Sequence, residues 1–122
     1  MKKHILIVDD EEHLADALAH NLQFEGFSTT VVYDGEEGLR LARTIQFDLV
    51  ILDIMMPDIK GYEVCKKIKN NPETRDTKII VLSAYLDEDK FKKMKENGAD
   101  ACFSKPFPLP QLKEEVARLL GL

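Results

Sequence analysis

Five polar positions stand directly after, or within two residues of, short apolar runs. Asp9 and Asp10 follow Ile5-Leu6-Ile7-Val8, and Asp53 follows Leu49-Val50-Ile51-Leu52. Ser83 follows Ile79-Ile80-Val81-Leu82, and Lys105 comes just after Ala101-Cys102-Phe103. Apolar, partly β-branched runs of this length read as strands buried on both faces. Pro57 prevents simple continuation of the strand that ends at Asp53. In a parallel sheet the carboxyl ends of such strands converge on one crevice, where open α/β sheets place their ligands. Three carboxylates, a hydroxyl and an ammonium then share a small site. Two carboxylates ~4 Å apart repel by roughly 4 kcal/mol at an effective dielectric near 20. Such a cluster asks for a divalent cation, and hard oxygen ligands suit Mg²⁺ or Mn²⁺ rather than zinc.

The segments between the strands supply the crossovers that a parallel sheet needs. Glu11 and Glu12 suit the positive end of a first helix beginning near them. Leu14, Ala15, Leu18 and Leu22 recur at helical spacing, and Gly26 fits its terminator. Thr29 to Tyr33 reads as the second strand. Asp34 with Glu37 resembles a capping arrangement for a helix carrying Leu39, Ala42 and Ile45. Gly61 lets the loop turn into a third helix over Tyr62 to Lys69, ended by Asn70-Asn71-Pro72. Asp87 caps a fourth, with Phe91 and Met94 inward, Lys90, Lys92, Lys93 and Lys95 on a solvated face, and Asn97-Gly98 at its end. Pro110 sits near the first turn of a last helix that buries Leu112, Val116 and Leu119. Five strands alternating with five helices predict an α/β fold. It is a doubly wound five-stranded parallel sheet of flavodoxin-like order 2-1-3-4-5, covered on both faces. There is no repeat or linker, and residues 1–122 read as one domain.

Bulk properties exclude several classes. At 122 residues, with 44% hydrophobic and 32% charged side chains, the chain suits a globular core without disulfides or a structural metal. A net charge of −5 argues against direct nucleic-acid binding, which wants clustered cations. No apolar run approaches the ~20 residues of a membrane span. Met1-Lys2-Lys3 precedes too short an apolar run for a secretory signal, so a cytoplasmic location is expected. Cys65 and Cys102 lack metal-ligand spacing and read as reduced, largely buried thiols. His13 and His20 lie about two turns apart, too far to chelate together.

Taken together, Ile5-Leu6-Ile7-Val8-Asp9-Asp10, Leu52-Asp53-Ile54-Met55-Met56-Pro57, Val81-Leu82-Ser83-Ala84 and Lys105-Pro106-Phe107 resemble a response-regulator receiver domain over essentially the whole chain. Each piece alone is weak, but their order and spacing are specific. The resemblance implies that Asp53 accepts a phosphoryl group from phosphohistidine of a sensor histidine kinase or histidine phosphotransfer protein. It implies that Asp10, Asp53 and the backbone carbonyl of Met55 ligate Mg²⁺, with Asp9 acting directly or through water. Lys105 and Ser83 would contact phosphoryl oxygens, and a cis peptide is expected before Pro106. The phosphoryl group, with close to two negative charges, would draw Ser83 inward. That movement would bias the surface of the fourth helix, fifth strand and fifth helix towards a downstream protein or output domain. Met55 and Tyr85 would line the path of attacking water; neither orients water as a carboxamide does, so the phosphorylated state is expected to last.

Two positions depart from the family pattern. Cys102 stands where many receivers carry an aromatic switch residue, and strand alternation points Phe103 to the other face. Gln111 and Glu115 stand where receivers that dimerise to drive a DNA-binding domain carry Glu and Arg. Two other functions would use a similar architecture. A flavin-binding module wants a hydroxyl- and glycine-rich loop after the first strand, where this chain has Asp9-Asp10-Glu11-Glu12. A Mg²⁺-dependent phosphohydrolase usually has a second aspartate two residues after its nucleophile, where this chain has Met55.

Overall fold

The structure is a computed structural model that describes residues 2–84 and 87–122. Strands β1 (His4–Val8), β2 (Ser28–Val32), β3 (Leu49–Asp53), β4 (Lys78–Ser83) and β5 (Ala101–Ser104) form one sheet. All pair in parallel, in the order β2-β1-β3-β4-β5. Helices α1 (Glu12–Phe24), α2 (Gly35–Thr44), α3 (Gly61–Lys69), α4 (Glu88–Glu96) and α5 (Leu109–Leu119) supply the crossovers and the C-terminal cover.

The period of two along each strand divides the core into two layers. Leu6, Val8, Val50, Leu52, Ile79 and Val81 pack with side chains of α2, α3 and α4. Ile5, Ile7, Leu49, Ile51, Ile80 and Leu82 face the opposite way, against α1 and α5. Both faces of β1, β3 and β4 are therefore buried, which is why those strands read as continuous apolar runs rather than alternating ones. Each fully buried Leu, Ile or Val contributes about 1.5–3 kcal/mol. That sum makes the three central strands the rigid frame for whatever their ends carry.

Strand register places those ends. Val8 pairs with Leu52, so Asp9 comes next on the rung of Asp53. Asp53 pairs with Leu82, and Ser83 with Ser104, stepping the sheet edge outward to Ser83 and then Lys105. Gly61 closes the loop after β3. Its N–H donates to the Ile54 carbonyl at 2.8 Å. A Cβ there would meet the Asp53 carbonyl oxygen at 2.5 Å and Ile54 Cα at 2.6 Å.

Caps and breakers follow their local chemistry. The Asp34 carboxylate accepts from Glu37 N–H and that of Asp87 from Lys90 N–H, capping α2 and α4. Gly26 and Gly98 follow α1 and α4 at φ of +99° and +100°, where other residues are strained. Three local expectations are corrected. The second strand runs Ser28–Val32, leaving Tyr33 to donate its hydroxyl to Asp16 at 2.8 Å. Ile45 is not on the buried face of α2; it ends that helix in an extended conformation and is exposed. Phe91 is not inward either. It lies three residues before Met94, about 60° round the helix, and only Met94 of α4 reaches the core. Among the described residues no helix is long and apolar enough to cross a membrane.

Gly61→Ala forces its Cβ against backbone rather than a movable side chain. Urea unfolding should show a loss of about 1–3 kcal/mol, the range for overpacking. Unchanged stability would mean that the loop after β3 relaxes without cost.

Candidate functional site

At the carboxyl end of the sheet, Asp9, Asp53 and Ser83 are buried, at 2%, 4% and 0% exposure, while Asp10 is exposed. Asp9, Asp10 and Asp53 each offer a carboxylate oxygen, and the three oxygens lie within 4.8 Å of one another. Lys105 enters from the loop after β5. Its Nζ donates to Asp9 Oδ2 at 2.9 Å and Glu11 Oε1 at 3.0 Å, and stands 3.6 Å from Asp53 Oδ2. Its backbone N–H donates to the Ser83 carbonyl at 2.7 Å, tying the ends of β4 and β5 together. The Lys105–Pro106 peptide is cis, as expected. Asp53 Oδ1 accepts from Met55 N–H at 3.4 Å, and Asp9 Oδ1 from Glu11 N–H at 2.9 Å.

The structure thus brings together the side chains of Asp9, Asp10, Asp53 and Lys105, with Ser83 buried at the end of the neighbouring strand and joined to Lys105 through its backbone carbonyl. Met55 lies two residues after Asp53 in the loop, with its side chain half exposed. Tyr85 lies outside the described residues. Cys102 packs with the layer of α2, α3 and α4 and Phe103 with that of α1 and α5, as alternation requires. Both cysteines are free thiols; burial pushes Cys65 up to about 12 and also raises Cys102.

Two residues of the site region carried no distinctive signal in the sequence. Glu11 was legible only as an acidic residue near a helix start, yet it is a direct partner of Lys105. Asp58 accepts from Gly35 N–H at 3.1 Å and Glu36 N–H at 2.9 Å, fixing the start of α2 beside the loop after β3. Only the tertiary fold, not local spacing, could have revealed either contact.

Burial and crowded charge together set the chemistry. Burial, then the Asp9 charge, push the Asp53 carboxyl up to about 7; Lys105 and Met55 N–H oppose this, and Asp10 adds to it. Burial alone would lower Lys105, but hydrogen bonds to Asp9 and Glu11 and the Asp53 charge hold it above the usual lysine range. One ammonium cannot neutralise the neighbouring carboxylates. Three hard oxygen donors in this arrangement fit Mg²⁺ or Mn²⁺, and a bound dication would offset both the burial and the carboxylate repulsion that raise the Asp53 carboxyl.

Known proteins share both the fold and the sequence pattern. The response regulator receiver domain family matches residues 5–117, so the chain belongs to that family. It is 38% identical over 117 residues to the response regulator ArlR of Staphylococcus aureus, a match covering 95% of this chain and 52% of the relative. The chain therefore spans about half the length of the curated relatives it matches. Among solved structures, the CheY-like receiver domain protein of Methanospirillum hungatei JF-1 superposes at a TM-score of 0.94 with 30% identity. That superposition covers 99% of this chain and 95% of the other. The receiver domain of a signal transduction histidine kinase from Syntrophus aciditrophicus gives 0.90 and 34%, covering 98% and 90%. The chain is a receiver domain of two-component signalling, a switch rather than a conventional enzyme. Neither the flavin-binding nor the phosphohydrolase alternative is supported.

The raised Asp53 carboxyl sets a pH dependence. With a folded-state pKa near 7 against an unfolded value near 3.8, the folded protein keeps a proton that the unfolded chain releases between them. This group favours folding most below about pH 4, and that advantage is lost as pH rises through 7. In EDTA, unfolding at pH 5 and pH 8 should show Asp53→Asn losing about 2–4 kcal/mol less than the parent over that interval. Equal losses in the two proteins would show that Asp53 is not the group held protonated.

Proposed function

We propose that residues 1–122 act as one phosphoryl-accepting unit in the cytoplasm, and that Asp53 is the acceptor. An Asp53 carboxylate oxygen attacks the phosphorus of a phosphohistidine. The P–N bond breaks, imidazole leaves, and an acyl phosphate forms. The observation that carries this reading is the buried Asp53 at the end of central strand β3, with Lys105 Nζ 3.6 Å from its Oδ2. Mg²⁺, held by Asp10, Asp53 and the Met55 carbonyl with Asp9 direct or through water, would supply charge neutralisation between carboxylate and phosphate. Lys105 pairs with one phosphoryl oxygen and Ser83 donates to another. Their backbone link at 2.7 Å supports concerted movement of the ends of β4 and β5.

The donor would be a sensor histidine kinase or phosphotransfer protein. Beside the site an open groove of about 540 Å³ is lined largely by apolar groups, among them Leu14, Ala17, Leu18, Pro106, Phe107 and Leu109. Its size and position support docking of a partner helix next to Asp53. Output would pass through the surface of α4, β5 and α5 to another protein or domain rather than by direct contact with nucleic acid. Cys102 cannot act there as a rotating aromatic ring, so displacement of Ser83 would carry the signal. Glu115 pairs instead with Arg118 of its own helix.

Acetyl phosphate with Mg²⁺ should add one labile phosphoryl group, seen by intact mass, and Asp53→Asn should abolish it. After donor removal the group should survive for minutes to hours, and Met55→Asn, which introduces a water-orienting carboxamide, should shorten that lifetime. Undiminished labelling of Asp53→Asn would overturn the acceptor assignment; decay within seconds in the parent would overturn the role of Met55.

A further inference from the structure

The residue that opens α1 does not do what residues at that position usually do. Glu11 is the N-cap of α1, a position that favours Ser, Thr, Asp or Asn because their short side chains accept from the first free N–H groups. The Glu11 side chain makes no such bond. It reaches instead to Lys105, whose Nζ donates to Glu11 Oε1 at 3.0 Å. The Glu11 side chain is 60% exposed, whereas that of Lys105 is 9% exposed. Lys105 thus leans towards Asp9 and Glu11, at 2.9 and 3.0 Å, and stands further from Asp53, at 3.6 Å. A helix start that forgoes its own cap to contact a site residue breaks a local rule where function is the expected reason.

We propose that Glu11 is a positioning residue that restrains phosphoryl transfer by holding Lys105 away from the acceptor. This rests on the roles given above to Asp53 and Lys105. A phosphoryl group arriving at Asp53 needs the Lys105 ammonium as a partner, and Glu11 competes for the same Nζ. The Asp9 contact is different in kind, because Asp9 is buried and fixed by the Glu11 N–H bond at 2.9 Å. Glu11 is the exposed and therefore exchangeable partner. Its release would let the ammonium move to the phosphoryl oxygens while its contact to Asp9 remains.

The initial rate of labelling by acetyl phosphate and Mg²⁺ separates contact from charge. Glu11→Gln removes the charge. Glu11→Asp keeps it but is one methylene too short for the contact and well suited to cap α1. Both should label about two- to fivefold faster than the parent, the scale of an exposed ion pair. Glu11→Asp should also raise Tm by a few degrees through the recovered cap, so faster labelling would accompany a more stable fold. Glu12→Gln, a charge removed from the next residue of α1, should leave the rate unchanged. In a Lys105→Met background neither Glu11 substitution should matter. A parental rate in Glu11→Asp, an equal gain in Glu12→Gln, or a gain that persists without Lys105 would overturn the restraint. Normal labelling of Asp53 with unresponsive Glu11 variants defeats this proposal alone, whereas a parent that takes no label at Asp53 defeats the acceptor assignment and this proposal with it.

Discussion

Like charge held at close range by a rigid sheet is the constraint on which the site depends. Asp9, Asp10 and Asp53 present oxygens within 4.8 Å of one another, on backbone fixed by the pairing of β1 with β3. At such distances each ionised pair opposes folding by roughly 4 kcal/mol at an effective dielectric near 20. The chain cannot relieve this by moving apart, because the residues before them, Val8 and Leu52, are fully buried in the core. Burial together with the Asp9 charge raises the Asp53 carboxyl, and the Lys105 ammonium is brought in against it. The carboxylate cluster would therefore gain from added positive charge.

The same constraint explains how a small covalent change could be read at a distance. On the proposed assignment, a phosphoryl group on Asp53 would redistribute negative charge and offer new acceptors to Lys105 and Ser83. Those two residues are already joined through the Lys105 N–H and Ser83 carbonyl, so the ends of β4 and β5 are mechanically linked. Cys102, packed with the layer of α2, α3 and α4, would add no rotating aromatic ring to that response.

Much of this was legible in the sequence because the signals were redundant. Ile5 to Val8, Leu49 to Leu52 and Ile79 to Leu82 could be nothing but doubly buried strands once helical segments separated them, and parallel pairing then forced their ends together. Asp34 and Asp87 announced α2 and α4 through short side chains able to reach backbone N–H groups. Legibility failed where periodicity was thin or contacts were long-range. α4 buries Met94 alone, so nothing in its pattern told Phe91 which way to face. Ile45 matched the helical spacing of α2 but stands one residue past its last turn. Glu11 and Lys105 are 94 residues apart in sequence, and Asp58 reaches 23 residues back to Gly35. No local rule predicts such pairs; they exist because right-handed crossovers return each chain segment to the same edge of the sheet.

The claim that strand-end repulsion makes this a dication site is tested most directly by thermal unfolding across a Mg²⁺ titration at pH 8. Binding to the folded state alone stabilises by about 2.7 kcal/mol at a concentration one hundred times Kd. Tm should therefore climb with the logarithm of Mg²⁺ concentration, and the climb should be strongly reduced in Asp10→Ala, which should also start from a higher Tm without metal. A Tm indifferent to Mg²⁺, or an equal climb in Asp10→Ala, would contradict the account.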